Sequence, residues 1–202
     1  TLLTLNSNRI IDKSSSPVSL TTSPTGPRIS SDGPFEETDE TSGSIYFDGS
    51  ADYLTLGDIS SPIGTGDFCI ESWIYLPGVT PASCWKAIVA LGNGHLTSGS
   101  VILYSPRQGT DQNTAVAILD TVNPTIGGSS NINNYQWHHV ALTRSSGTLR
   151  LFVNGVQEAS QSNSANLTQT KVMIGYTINC GGAESAFHGY INNLRIVKGN
   201  AV

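Results

Sequence analysis

The side chains that could do chemistry are sparse. Of 202 residues only 12% are charged, with 15 Asp and Glu, 10 Lys and Arg and 4 His. Cleaving a glycosidic bond takes two carboxyl groups about 5–9 Å apart around it. Glu71 stands alone in an apolar run, and Asp111 and Asp120 fall at a loop and a strand end, so no spacing pairs them. Glu36, Glu37, Asp39 and Glu40 lie among Ser, Thr and Pro and read as a solvated loop. No Gly-x-Ser-x-Gly, P-loop or dinucleotide fingerprint occurs. Cys69, Cys84 and Cys180 are an odd set, so they cannot all close on one another. There is no Cys-x-x-Cys, and no His spacing suits zinc.

What the chain does carry is aromatic and polar residues in Gly-flanked loops. That is the chemistry of sugar recognition, in which a rigid ring offers a stacking face and Asn, His or Arg bond the hydroxyls. The candidates are Trp85 in the loop 81–86, Asn93 and His95 in the loop 92–100, and Tyr104 with Arg107 at the end of the next strand. Tyr135, just ahead of Trp137, and Tyr176, leading into Cys180, complete the set. Each also has an ordinary reading as a half-buried loop residue.

The elements that must position these residues are strands. Gly is abundant (21 residues), Met occurs once, and no segment holds a 3.6-residue period for long. Residues 1–43 form a lead-in: a strand near Leu3–Leu5, then Ser, Thr, Pro and Gly, where Pro17, Pro24, Pro27 and Pro34 exclude helix and any long central strand. From residue 44 strands follow closely. Ser44–Phe47 and Tyr53–Leu56 read as a hairpin around Asp48-Gly49. Phe68–Leu76, Ala87–Leu91, Val101–Tyr104 and Ala115–Leu119 come next, then a loop over 123–134. Trp137–Arg144 turns at Ser145-Ser146-Gly147 into Thr148–Val153, and Asn154-Gly155 is the type I′ hairpin signal before Val156–Ala159. Val172–Tyr176 and Phe187–Val197 end the series. The pattern is all-β: an antiparallel two-sheet jelly-roll sandwich. Within Trp137–Arg144, His138 shares a face with Val140 and Leu142, so it lies toward the core and must find hydrogen-bond partners, while Trp137 and His139 face outward.

A net charge of −5 without basic excess excludes a nucleic-acid binder, and no apolar run approaches the ~20 residues of a membrane helix. The sole Met is Met173 and no signal peptide shows at the front, so a segment of a longer polypeptide is expected.

Ser44-Ile45-Tyr46-Phe47-Asp48-Gly49 with Asp52-Tyr53-Leu54, then Phe68-Cys69-Ile70-Glu71-Ser72-Trp73-Ile74-Tyr75, resemble the opening of laminin-G-like, concanavalin A-like jelly-roll domains. Trp137-His138-His139-Val140-Ala141 with Leu149-Arg150-Leu151-Phe152-Val153-Asn154-Gly155 resembles the family's most specific signature, and Phe187–Ile196 its last strand. The resemblance covers residues 44–202. It implies one domain, 1–202, whose first segment lies beside the last strand. Related glucanases carry Glu-x-Asp-x-x-Glu, which is missing here, so the resemblance implies a non-catalytic module. Relatives often hold a structural calcium near the first and last strands, which points to Asp12 and Asn193; no other cofactor is implied. The lead-in LLTLNSNRIIDKSSS resembles that of bacteriophage fibre-like proteins, marine ones especially. On that likeness the expectation is a virion appendage module, attaching to cell-surface carbohydrate or serving as scaffold among other virion proteins, as a homotrimer. The location is then a virion or the extracellular space. An adhesion or lectin module of a cellular protein, and a glycan hydrolase, are the alternatives.

Overall fold

Phe68, Ile70, Ser72 and Ile74 alternate with Cys69, Glu71, Trp73 and Tyr75, and the strand they form buries the first set wholly while leaving Glu71, Trp73 and Tyr75 partly exposed. The same two-residue period shapes most of the molecule. The computed structural model describes residues 3–4, 10, 12, 14, 17, 19–35, 43–59, 61–78, 85–92, 94, 96–106, 113–178 and 185–201. Among them there are strands and no helix: β1 Leu3–Thr4, β2 Leu20–Thr22, β3 Arg28–Ser30, β4 Ser44–Asp48, β5 Leu54–Asp58, β6 Phe68–Tyr75, β7 Lys86–Leu91, β8 Val101–Ser105, β9 Val116–Leu119, β10 Val122–Gly127, β11 Trp137–Ser145, β12 Thr148–Val153, β13 Val156–Ser162, β14 Lys171–Ile174 and β15 His188–Lys198.

These strands form two antiparallel sheets. The eight-stranded sheet runs β13-β12-β11-β6-β15-β4-β3, with β1 also pairing β15; the seven-stranded sheet runs β10-β9-β8-β7-β14-β5-β2. Their inner faces close over one apolar cluster, with Phe47, Phe68, Ile70, Ile74, Val140 and Leu142 from the first sheet and Leu54, Leu56, Val89, Leu103 and Ile174 from the second. This is the jelly-roll sandwich that the strand pattern predicts. β1 sits beside β15, with Leu3 opposite Ile196. The lead-in does more than that, because β2 pairs β5 and β3 pairs β4, adding one short edge strand to each sheet.

Two expectations are corrected. Ser44–Phe47 and Tyr53–Leu56 do not form a hairpin: β4 pairs β15 and β3, whereas β5 pairs β14 and β2, so the chain arches from one sheet to the other. Phe47 and Leu54 then reach the core from opposite sides, and Asp52, which accepts from Asp48 N (3.2 Å) and Thr25 Oγ1 (3.1 Å), braces the arch. The stretch 123–134 is not all loop, since its start belongs to β10, paired with β9 at the sheet edge where a proline is tolerated.

Two polar devices fasten the sandwich. Arg144 continues the inward face of β11 and is fully buried. Its guanidinium donates to Gly66 O (3.0 and 2.8 Å), Gly64 O (2.7 Å), Ala165 O (2.7 Å) and Asn163 Oδ1 (3.1 Å), and lies 5.1 Å from the Phe68 ring centroid. Burying that charge is tolerable because its donors meet acceptors. At the β13 edge of the same sheet, Glu158 takes hydrogen bonds from Ser129 N (2.5 Å), Ser129 Oγ (2.7 Å), Ser130 N (2.7 Å) and Ser130 Oγ (2.5 Å), just beyond β10. This clip ties the outer strands of the two sheets together.

Burial pushes the Glu158 carboxyl up, but the four hydrogen bonds from Ser130 and Ser129 outweigh it and hold the pKa at about 2. A carboxyl depressed on folding stabilises the native state above its ordinary pKa of 4.5, and that contribution is lost as pH falls through about 2. Glu158→Gln is therefore expected to be less stable at pH 7 by at most about 1 kcal/mol, given the solvent exposure. The difference from the native chain should shrink below pH 4.5 and vanish near pH 2. Urea midpoints across pH measure this, and a pH-independent difference would refute the clip.

Candidate functional site

Strand register assembles a row of aromatic rings. Trp137 of β11 stands opposite Tyr75 of β6, Tyr75 opposite Tyr190 of β15, and Tyr190 opposite Tyr46 of β4. Directly opposed residues share a face, so all four rings project from the outer side of the eight-stranded sheet. Each is half-buried. Ring centroids lie 5.7 Å apart for Tyr75–Trp137, 5.7 Å for Tyr75–Tyr190 and 4.9 Å for Tyr46–Tyr190. The connection between β3 and β4 supplies the facing wall, where Asp32 and Gly33 close a cleft of about 310 Å³ with Tyr75, Trp137 and Tyr190. Asp32 is held by Ser30, whose Oγ donates to Asp32 Oδ2 (3.2 Å) and accepts from Asp32 N (3.1 Å). Burial, then Asp32, then Tyr46 and Tyr75 push the Tyr190 phenol up, so it stays protonated and able to donate.

A second row lies beneath the first. His139 and Asn192 flank Trp73 in register, and Phe35 meets the Trp73 ring edge-on at 5.4 Å. Beyond it Glu71 accepts from Arg195 Nε (2.5 Å), pairs with Arg195 Nη2, and lies 3.6 Å from His139 Nε2. Burial lowers the His139 pKa, with Glu71 opposing and Arg195 adding to the shift, so the ring is neutral at pH 7. Arg195 reaches this face because of a bulge. The register of β15 slips between Asn192 and Arg195, with Asn193 at φ 48°, so Leu194 turns into the core and Arg195 turns out.

His138 is buried on the core side, as the alternation predicts. Its Nε2 lies 2.7 Å from Asn134 Oδ1 and its Nδ1 3.0 Å from Asn154 Nδ2, which assigns the proton to Nε2. Burial lowers its pKa, consistent with a neutral ring. Asn154 Oδ1 in turn accepts from His139 N (2.9 Å). The turn residue of the Asn-Gly hairpin thus anchors the strand that carries Trp137.

The loop candidates fare unevenly. Trp85 is 7% exposed and Tyr104 1%, their centroids 6.0 Å apart in a separate buried cluster with Ala87, Ala90, Ile102, Val116 and Ile118. Ile102 and Tyr104 alternate with the core residues Val101 and Leu103, which places this cluster on the outer side of the seven-stranded sheet. The expectation that Trp85 and Tyr104 present faces to a ligand is therefore corrected: both are spent on packing. Asn93, His95 and Arg107, and also Cys84 and Cys180, lie outside the described residues. Cys69 is buried in β6. Tyr135 is 64% exposed at φ 59°, and its hydroxyl lies so close to Gly78 that a side chain there would collide. It stands two residues from Trp137. Tyr176 is half-buried against Tyr53, 5.6 Å away, beyond β14.

Of the metal candidates, Asp12 is buried and accepts from Ser14 N (2.8 Å) and Ser14 Oγ (2.9 Å), while Asn193 forms the bulge. Among the described residues no three His, Cys, Asp or Glu gather as metal ligands, and no helix is long and apolar enough to cross a membrane. The site residues that sequence reasoning missed are Trp137, Tyr46, Tyr75, Tyr190 and Asp32. The three tyrosines were detectable as polar-face members of strands whose other face is apolar, whereas Asp32 had no such signal.

A laminin-G family model, described as the concanavalin A-like lectin/glucanases superfamily, matches residues 48–200. The chain belongs to that superfamily. Comparison with curated protein sequences yields no match. Among solved structures, the botulinum neurotoxin serotype D binding domain aligns with TM-score 0.69 at 14% identity, over 100% of this chain and 48% of that one. The present chain thus spans about half of that relative. Domain 4 of the extracellular arabinanase AbnA from Geobacillus stearothermophilus, in complex with arabinotriose, aligns with TM-score 0.64 at 16% identity, over 96% of this chain and 87% of that one. The CBM40 of the Ruminococcus gnavus IT-sialidase, bound to α2,3-sialyllactose, aligns with TM-score 0.54 at 16% identity, over 69% and 79%. At these identities the likeness is one of fold.

Of the three tryptophans, Trp73 and Trp137 are partly exposed on the superfamily fold's outer face and Trp85 is sealed. In the variant that replaces both Trp73 and Trp137 by Phe, the remaining emission should be blue-shifted and resist acrylamide. Emission as quenchable as that of the native chain would contradict the placement of Trp85.

Proposed function

We propose that the protein is a non-catalytic carbohydrate-binding module that lays sugar rings on Trp137, Tyr75 and Tyr190. The aromatic row across β11, β6, β15 and β4 carries this reading. Half-buried rings fixed by neighbouring strands offer apolar faces with little entropy left to lose on binding. Asp32 and the Tyr190 hydroxyl supply polar groups to orient hydroxyls, a few convergent polar atoms among apolar walls. The solved neighbours support the reading, since the arabinanase domain holds arabinotriose and the CBM40 holds sialyllactose.

The absence of catalysis in this proposal rests on the carboxylates. Among the described residues the cleft is lined by one, Asp32, where glycoside cleavage takes two. Glu71, further along the same face, is engaged by Arg195. On the likeness of the lead-in we place the module on a phage virion appendage, a fibre or spike, as a homotrimer that meets host-surface sugars. A calcium ion has no part in the proposal.

A printed glycan array, followed by titration calorimetry on its hits, tests the reading. Tyr75→Ala and Trp137→Ala should each weaken binding about tenfold or more, the loss expected of a central anchor, with circular dichroism confirming the fold. Unchanged binding in both variants would move the site elsewhere, and a blank array would leave the scaffold role. The trimer is checked by light scattering, where a mass near 21.3 kDa would refute it.

A further inference from the structure

The charges around the cleft bear on which sugars it takes. Among the described residues the one charged group lining it is an acid, Asp32, fixed beside Tyr190 by its bonds to Ser30. Arg195, two rows away on this face, is bound to Glu71, which also has His139 nearby. His139 and His188, the histidines on the flanking positions, are both held neutral by burial, with Asp48 opposing and Lys86 adding to the shift at His188. Arg28 is opposite Tyr46 at the far end of the row, exposed and outside the cleft. The chain as a whole carries −5. A carboxylate on a bound sugar would therefore meet Asp32 with no cation among the cleft's described residues to balance it, whereas a neutral sugar's hydroxyls can donate to Asp32.

From this we infer that the cleft selects uncharged glycans and rejects sialylated or uronate-bearing ones, a conclusion that rests on the carbohydrate-binding reading above. The aromatic row fits the same ligand. It crosses four adjacent strands, about 14 Å at the usual inter-strand spacing, so an unbranched chain of sugars lies across the strands with Asp32 at one side. Selectivity comes from like-charge repulsion in place of an added attractive contact. The sialyllactose-bound CBM40 shares the fold, so in this inference the same architecture serves an uncharged ligand class here.

The test is an array carrying each neutral glycan beside its sialylated counterpart, with lactose and sialyllactose titrated in solution at low and high salt. The neutral member should bind about fivefold or more tighter, the scale of an exposed like-charge contact. The gap should narrow at high salt and in Asp32→Asn, whose shape is unchanged. Equal or tighter binding of the sialylated member overturns the inference but sustains the carbohydrate reading, and loss of that binding in Arg28→Ala would assign it to the far end of the row. Failure of every glycan, neutral and acidic, overturns both.

Discussion

The register of β6 against β11 and β15 is the constraint on which the outer face depends. A sheet has a side-chain period of two, so a slip by one residue would turn Trp137, Tyr75 and Tyr190 into the core and push Ile74, His138 and Ile191 into water. The apolar residues on the inner face forbid that exchange. The row of rings is therefore not held by its own ring contacts, which are worth about 1 kcal/mol apiece, but by the burial of the residues behind it.

Three local features keep that register from drifting. At one end of β11, Arg144 fixes the strand to the carbonyls of Gly64, Gly66 and Ala165. At the other end, Asn154 and Asn134 hold His138, and Asn154 also takes the His139 amide. On β15 the bulge at Asn193 changes the phase of the strand midway, so Tyr190 and Arg195, an odd number of residues apart, both face out. The first two satisfy buried polar groups that would otherwise oppose folding, and all three sit on strands contributing to the cleft.

Much of this architecture was legible in the residues. Alternation in Phe68–Tyr75 and Trp137–Arg144, and the Asn-Gly turn, are local signals, and they fix strands, faces and the burial of His138. The arch between β4 and β5 was not legible, because Asp48-Gly49 turns a chain equally well within a sheet or between sheets. Trp85 and Tyr104 were misjudged for a related reason. Flanking Gly and polar residues describe the backbone, not what covers it, and both rings proved to belong to a second apolar layer. Tyr46, Tyr75 and Tyr190 become a site only through cross-strand pairing between distant segments, Tyr46 and Tyr190 being 144 residues apart, which a linear reading does not reveal.

The lead-in strands give the N-terminal segment two duties at once. β2 and β3 cover the open edges of β5 and β4, one in each sheet, and the turn that follows β3 holds Asp32 and Gly33 over the tyrosines. The family match begins only at residue 48, after the cleft wall, Tyr46 and both covering strands. Trimming the chain to those matched limits would keep the recognisable signature yet strip the groove of one side and bare two ribbon margins to neighbouring molecules, so self-association would replace recognition.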